Sequence, residues 1–210
     1  LFCLKLGWQH THLRTKADLT KLPVHGAFRS TVGLISMGAI AKRVRNLLRN
    51  HEVKVIAYDP FMTHEQAEEW DVELVSLQEL FKRSAVTSLH APDIDATKGM
   101  IRHEHFEAMP KWASFINTAR SATVRHTELC DVLEKRPDLW AVIDVTEEAT
   151  EEEHQRLIQL HNVTLTPHIA GSLSTECHRM GKLIFEEVQR FVENTPLEYA
   201  LTEQQASIMA

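Results

Sequence analysis

Residues 31–59 read TVGLISMGAIAKRVRNLLRNHEVKVIAYD, which has the pattern of a strand, a turn, a helix and a second strand. Its first apolar run, residues 32–35, predicts a buried parallel strand. A turn of small residues follows, and a helix is then predicted from Ala39, because apolar residues recur at the spacing of one helix face. A second strand is predicted over residues 53–58. The apolar residues assigned to the helix face are Ile40, Val44, Leu47 and Leu48.

The strand, turn, helix and strand of this stretch are followed by an acidic residue, Asp59, which is the layout of a dinucleotide-binding βαβ unit. Gly38 has no Cβ, so a pyrophosphate could approach its backbone at the helix N-terminus. Asp59 could accept both ribose hydroxyls of an adenosine and would repel a 2′-phosphate, which favours NAD over NADP. The glycine fingerprint falls on Ser36, Gly38 and Ala41, so an ordinary βαβ unit without a nucleotide stays an alternative.

The composition narrows the class of protein. The chain has 210 residues and a net charge of −6, without a basic block or stripe, which argues against a nucleic-acid partner. No apolar run reaches the length of a membrane span, and no signal-peptide pattern opens the sequence. Three widely spaced cysteines predict free thiols in a reducing compartment. We therefore expect a cytoplasmic location.

Strands and helices alternate along nearly the whole sequence, which predicts an α/β fold with a doubly wound, mostly parallel, Rossmann-like sheet. Residues 1–26 are interpreted as a connecting helix and loop, 27–196 as the nucleotide-binding domain and 197–210 as a C-terminal tail, of which residues 204–210 are expected to fray. The acidic run 147–153 is interpreted as a solvated loop. Two His-x-His pairs are interpreted as polar surface, and no metal site is predicted; they are His10 with His12 and His103 with His105.

Three polar residues are predicted at or just beyond the carboxyl ends of strands, namely Arg120, Asp144 and His168. In an open parallel sheet these ends lie at one edge, the edge that the glycine turn also faces, and ligands bind there. The planar guanidinium of Arg120 suits a carboxylate, although a surface salt bridge would explain the residue equally well.

Several motifs together resemble the coenzyme-binding domain of the D-isomer-specific 2-hydroxyacid dehydrogenase family, between about residue 27 and about residue 196. The motifs follow the order and spacing of the family. They are VGLISMGAIA, VIAYDPF, SLHAP, MIRHEHFEAMP, FINTAR, AVIDV and LTPHIAGS.

The resemblance implies a hydride transfer between NAD and a small D-2-hydroxy acid or 2-oxo acid. Arg120 would bind the substrate carboxylate, His168 would be the acid/base, and Asp144 would contact the nicotinamide carboxamide. A homodimer is implied by the resemblance alone. The cofactor-binding set is predicted to comprise Ser36, Met37, Gly38, Ala39, Ile40, Asp59, Pro60, His90, Pro92, Thr97, Asn117, Thr118, Ala119, Asp144, His168 and Gly171.

The sequence departs from the family pattern at three places. Ala149 stands where the family has the glutamate that pairs with the acid/base histidine, although Glu147, Glu148 or Glu151 could reach in. Ser36 and Ser121 replace glycines, and the family's N-terminal substrate domain is not found in this sequence. A catalytically impaired NAD-binding module is therefore the alternative to an active dehydrogenase. A structural or interaction domain without a nucleotide is a third reading.

Overall fold

A computed structural model describes residues 1–5, 7 and 25–207. Its seven strands form one parallel sheet in the order β3-β2-β1-β4-β5-β6-β7. The order reverses between β1 and β4, which is where open parallel sheets form a crevice. The strands are β1 Thr31–Ile35, β2 Lys54–Tyr58, β3 Glu73–Leu74, β4 Val86–Leu89, β5 Ser114–Asn117, β6 Trp140–Ile143 and β7 Val163–Leu165.

Eight helices of the described residues pack around or extend from this sheet. They are α1 Ala39–Leu48, α2 His64–Glu69, α3 Leu77–Arg83, α4 His103–Glu107, α5 His126–Lys135, α6 Glu151–Gln159, α7 Thr175–Val192 and α8 Glu203–Ser207. No helix in the described parts of the chain is long and apolar enough to cross a membrane. The predicted doubly wound fold is confirmed, and the sheet is parallel throughout.

Alternate residues of each strand face opposite sides of the sheet, so the core has two layers. On one side, α3, α4, α5 and α6 pack over strand residues that include Ile35, Leu89 and Phe115. The rings of Phe106 and Phe115 meet edge to face at 5.1 Å between centroids. On the other side, α1 and α2 pack over residues such as Leu34 and Val55.

Gly33 lies in the centre of β1 and permits a close approach of α3. A Cβ built at Gly33 would lie only 2.6 Å from the Leu80 side chain of that helix. Since two carbon atoms need about 3.5 Å or more, only glycine fits at this position.

The buried face of α1 differs from the predicted one. Leu48 is buried and Val44 is partly buried, as predicted, but Ile40 and Leu47 are exposed, and Ala41 and Arg45 are buried instead. Arg45 can be buried because its guanidinium donates to the carbonyl oxygens of Trp70 and Asp71 and also pairs with the Asp71 carboxylate. Burial lowers the pKa of Arg45, and Asp71 opposes that effect.

The prediction of a solvated acidic loop over residues 147–153 was wrong in its second half. Residues from Glu151 onward form α6, and Thr150 caps this helix by accepting the Glu153 N–H, while Glu153 accepts the Thr150 N–H in return. Carboxylates in the first turn of a helix are stabilised by the helix dipole. A capping threonine therefore turns the acidic run into a helix start.

One smaller prediction also failed. His105 is buried rather than solvated; its Nδ1 accepts the Arg102 N–H at 3.0 Å, and its ring lies 5.3 Å from that of Phe81. Helix α8, Glu203–Ser207, extends into the segment predicted to fray, residues 204–210, of which the last three lie outside the described residues. His10, His12 and most of the predicted connecting helix and loop lie outside the described residues.

Candidate functional site

The turn after β1 leaves open space above a helix start. Gly38 precedes α1, no side chain caps that helix, and a Cβ at Gly38 would meet no atom within 4 Å. Ser36, at the first fingerprint position, has φ +70°, a conformation in which glycine is favoured. An uncapped helix start with free space above it fits the pyrophosphate of a dinucleotide.

Asp59 ties this turn to the end of β2. Its carboxylate accepts the Met37 N–H at 2.7 Å through one oxygen and the Phe61 N–H at 2.8 Å through the other. Each carboxylate oxygen can accept about two hydrogen bonds, so both keep capacity for a ribose hydroxyl. The arrangement fits the role predicted for Asp59.

A cleft of about 330 Å³ opens beside Asp59, between the exits of β1, β2 and β4. Six of the predicted cofactor residues, besides Asp59 itself, line this cleft. They are Ser36, Met37, Gly38, Pro60, Pro92 and Thr97.

Further residues line the cleft and were not predicted from the sequence. Phe61 and Met62 directly follow the Asp-Pro pair, so their position in the sequence was the signal that could have identified them. The other lining residues come from several helices, strands and loops, and no sequence pattern pointed to them. They include Ile35, Lys42, Tyr58, Gln66, Ala91, Ile94, Ala96, Met100 and Gln205.

The loop after β4 is held by its own side chains. The Thr97 hydroxyl donates to the Pro92 carbonyl at 2.6 Å and accepts the Ile94 N–H at 3.1 Å. His90 is half-buried, with its Nε2 3.0 Å from the Ser88 hydroxyl. Burial lowers the pKa of His90 to about 4, so this imidazole is neutral at neutral pH.

Asn117, at the end of β5, shapes the following loop rather than lining the cleft. Its buried side-chain amide donates to the Arg120 carbonyl at 3.1 Å and accepts the Ala119 N–H at 3.1 Å. The Arg120 side chain is exposed, and its guanidinium donates to the Ala119 carbonyl at 2.8 Å. Among the described residues, no carboxylate forms an ion pair with Arg120, so its remaining donors are available to an anion.

Asp144, after β6, holds the segment that follows β7. Its buried carboxylate accepts a hydrogen bond from the Thr166 hydroxyl at 2.5 Å and from the N–H groups of Ile169 and Ala170 at 2.8 Å each. Burial raises the pKa of Asp144, but these hydrogen bonds together outweigh burial, and the net pKa is lowered. Asp144 is therefore an ionised anchor for the segment around His168.

His168 lies on this anchored segment and contacts a glutamate. Its Nδ1 is 2.5 Å from Glu147 Oε1. Because a carboxylate oxygen accepts, Nδ1 carries the hydrogen and Nε2 is left open. The side chain of His168 is 58% exposed, so a small molecule can reach it. Of the three glutamates considered as substitutes at Ala149, it is Glu147 that makes this contact.

The remaining predicted residues do not line the cleft. Ala39 and Ile40 begin α1, Thr118 and Ala119 follow β5, and Gly171 follows the His168 segment, with open space at its Cβ position. The predicted site residues thus form two groups. One group lines the cleft beside Asp59, and the other is a polar group near the ends of β5, β6 and β7.

A parallel sheet with an open helix start after β1 and an acidic residue after β2 is the arrangement of a dinucleotide-binding domain. Residues 4–170 match the family model described as "D-isomer specific 2-hydroxyacid dehydrogenase, NAD binding domain". The chain belongs to this family, and its cofactor is NAD.

Curated relatives and solved structures agree with the family. The chain is 33% identical to hydroxypyruvate reductase of Thermotoga maritima over 188 residues, covering 88% of this chain and 58% of that protein. It is 31% identical to D-3-phosphoglycerate dehydrogenase of Archaeoglobus fulgidus over 171 residues, which is 81% of this chain and 32% of that protein. The holo form of Rhodotorula graminis D-mandelate dehydrogenase superposes with a TM-score of 0.78 at 26% identity, over 97% of this chain and 62% of that one.

The chain thus spans between about a third and three fifths of the length of these proteins. The activity and the substrate of the whole protein are therefore proposals.

Proposed function

We propose that this chain is the NAD-binding part of a dehydrogenase that interconverts a small D-2-hydroxy acid and its 2-oxo acid. The observation that carries the proposal is the contact between His168 Nδ1 and Glu147 at 2.5 Å. It supplies a histidine–glutamate pair although the family position of the glutamate is Ala149.

The proposed roles follow from the donors and acceptors at the strand ends. Arg120 binds the carboxylate of the substrate, since its guanidinium is exposed and its donors match a planar anion. His168 donates a proton from Nε2 to the 2-oxo oxygen, or removes one from the hydroxyl in the reverse direction. Glu147 keeps the imidazole oriented through the contact between its carboxylate and Nδ1.

The cofactor would be held by the turn and the acidic residue that follow β1 and β2. The N-terminus of α1 and Gly38 would face the pyrophosphate, and Asp59 would accept from the adenosine ribose. The bound coenzyme would accept the hydride at its nicotinamide as NAD and supply it as NADH. We propose that Asp144 orients the nicotinamide carboxamide indirectly, because Asp144 is buried and its carboxylate holds Thr166, Ile169 and Ala170.

A homodimer and a cytoplasmic location stay predictions. Helix α7 supports the homodimer. None of its residues is buried, and several large apolar side chains are exposed, among them Ile184, Phe185 and Phe191. A second copy of the chain would cover this apolar face. Light scattering on the purified protein would measure the oligomeric state; a monomer at micromolar concentration would contradict the homodimer.

Titration calorimetry of NAD, NADH and NADP, followed by assays of NADH oxidation with a panel of 2-oxo acids, tests the proposed function. We expect NAD to bind more tightly than NADP, and turnover of at least one 2-oxo acid to be lost in the variant Arg120→Ala. Binding of NAD without turnover of any 2-oxo or 2-hydroxy acid would favour the impaired NAD-binding module. Binding of neither nucleotide would contradict both readings.

A further inference from the structure

Ser121 is a buried polar residue directly beside the proposed substrate arginine. It is 1% exposed, and it occupies a position where the family pattern has glycine. Its hydroxyl oxygen accepts the Glu148 N–H at 3.2 Å and lies 3.3 Å from His126 Nε2. A glycine at this position would leave that N–H without its side-chain acceptor.

His126 keeps the Ser121 hydroxyl oriented. The imidazole is buried, and burial lowers the pKa of His126, against the opposing effect of Glu153, Glu148 and Glu147. In the tautomer with its hydrogen on Nδ1, the neutral ring accepts the Ser121 O–H at Nε2, which leaves the hydroxyl oxygen to accept the Glu148 N–H.

The anchored N–H belongs to the residue next to Glu147. Residues 146–149 form a turn in which the Ala149 N–H donates to the Thr146 carbonyl at 3.0 Å. Thr150, which caps α6, fixes the far end of this segment. Ser121, in the loop after β5, accepts a hydrogen bond from the Glu148 N–H and so holds the middle of this segment.

We propose that the Ser121 hydroxyl is a positioning group that holds the 146–149 turn so that Glu147, and not residue 149, meets His168. The inference deepens the proposed function and rests on it for its kinetic test. The two departures from the family pattern, Ser121 and Ala149, are then linked: the added hydroxyl holds the displaced carboxylate in reach of the imidazole.

The kinetic test is a double-mutant cycle in the native protein, with Ser121→Ala and Glu147→Ala. Ser121→Ala should lower kcat about tenfold with little change of KM, which is the size of effect that one hydrogen bond supplies. In the Glu147→Ala background the same substitution should have almost no further effect, because the group that it positions is already gone. Effects that multiply in the double variant would overturn the proposal.

Two further variants separate positioning from general loss of structure. Ser121→Thr keeps the hydroxyl and should recover most of the activity. Thr87→Val removes another fully buried hydroxyl, one without a hydrogen-bond partner among the described residues, and should leave kcat unchanged. If Ser121→Ala and Ser121→Thr impair turnover equally, the hydroxyl does not position Glu147.

A spectroscopic measurement tests the contact without turnover. Nitrogen-15 spectra of the 210-residue chain, with the ring of His168 assigned by the variant His168→Gln, report which ring nitrogen carries hydrogen. We expect the Nδ1–H form in the parent chain and a mixture of tautomers in both Ser121→Ala and Glu147→Ala. An unchanged tautomer in Ser121→Ala would overturn the inference. The result is independent of substrate, so it distinguishes failure of this inference from failure of the proposed function.

Discussion

Asp59 has two tasks, and both depend on its carboxylate. Its carboxylate holds the turn after β1 through the Met37 N–H and is also the proposed acceptor for a ribose hydroxyl. The variant Asp59→Ala should weaken NAD binding by about tenfold to a hundredfold, as expected when hydrogen bonds to a charged group are lost, and should narrow the NAD over NADP preference. Titration calorimetry with both nucleotides measures this.

The control for Asp59→Ala removes an equal charge at the opposite end of the same strand. Glu52 is exposed and lies just before β2, so Glu52→Ala should leave both nucleotide affinities unchanged. A preserved NAD preference in Asp59→Ala would contradict the ribose role.

A second prediction concerns the effect of substitutions at Glu147 and Ala149 on kcat. Since Glu147 already contacts His168, Ala149→Glu alone should change kcat little. Glu147→Ala should lower kcat by at least tenfold, as expected for loss of support to an acid/base group. Ala149→Glu should recover part of that loss in the Glu147→Ala background. Steady-state assays of the four proteins measure it, with Glu148→Ala as the neighbouring control; a fall in kcat for the control only would refute the role of Glu147.

At the scale of elements, the capped start of α6 determines where the Glu147 segment ends. The Thr150 hydroxyl accepts the Glu153 N–H, and Glu153 also accepts from Thr127. Thr150→Ala should lower the free energy of unfolding by about 1 kcal/mol, the usual value for loss of an N-cap. Urea denaturation measures it. Thr150→Ser keeps the hydroxyl and should be close to the parent; an equal loss in both variants would mean that the cap is not the cause.

At the scale of the whole molecule, buried imidazoles make stability depend on pH. The pKa of His90 is about 4 when folded, below the value near 6.5 of an exposed imidazole, so the unfolded chain binds a proton that the folded chain does not. The contribution of His90 to the free energy of unfolding is therefore present in full above about pH 6.5 and is lost as the pH falls through about 4. The loss assigned to His90 is up to about 3 kcal/mol.

The test is chemical denaturation between pH 4 and pH 7. His90→Gln should flatten the dependence, whereas His51→Gln, which changes an exposed imidazole, should not. The lowered pKa of His126 acts in the same direction, so part of the slope should remain in His90→Gln. A slope identical in all three proteins would show that His90 does not titrate on unfolding.

The parallel sheet and the order of its main elements could be predicted from the sequence, because strand and helix periods are local patterns. The sequence also identified the family, Asp59 and the strand ends that carry Arg120, Asp144 and His168. Burial of Arg45 in place of Ile40 depended on carbonyl groups of a distant segment, and α6 depended on the hydroxyl of Thr150. The choice of Glu147 as the partner of His168 was decided only in three dimensions. It depends on where the ends of β6 and β7 bring two loops together, and spacing along the chain does not contain that distance.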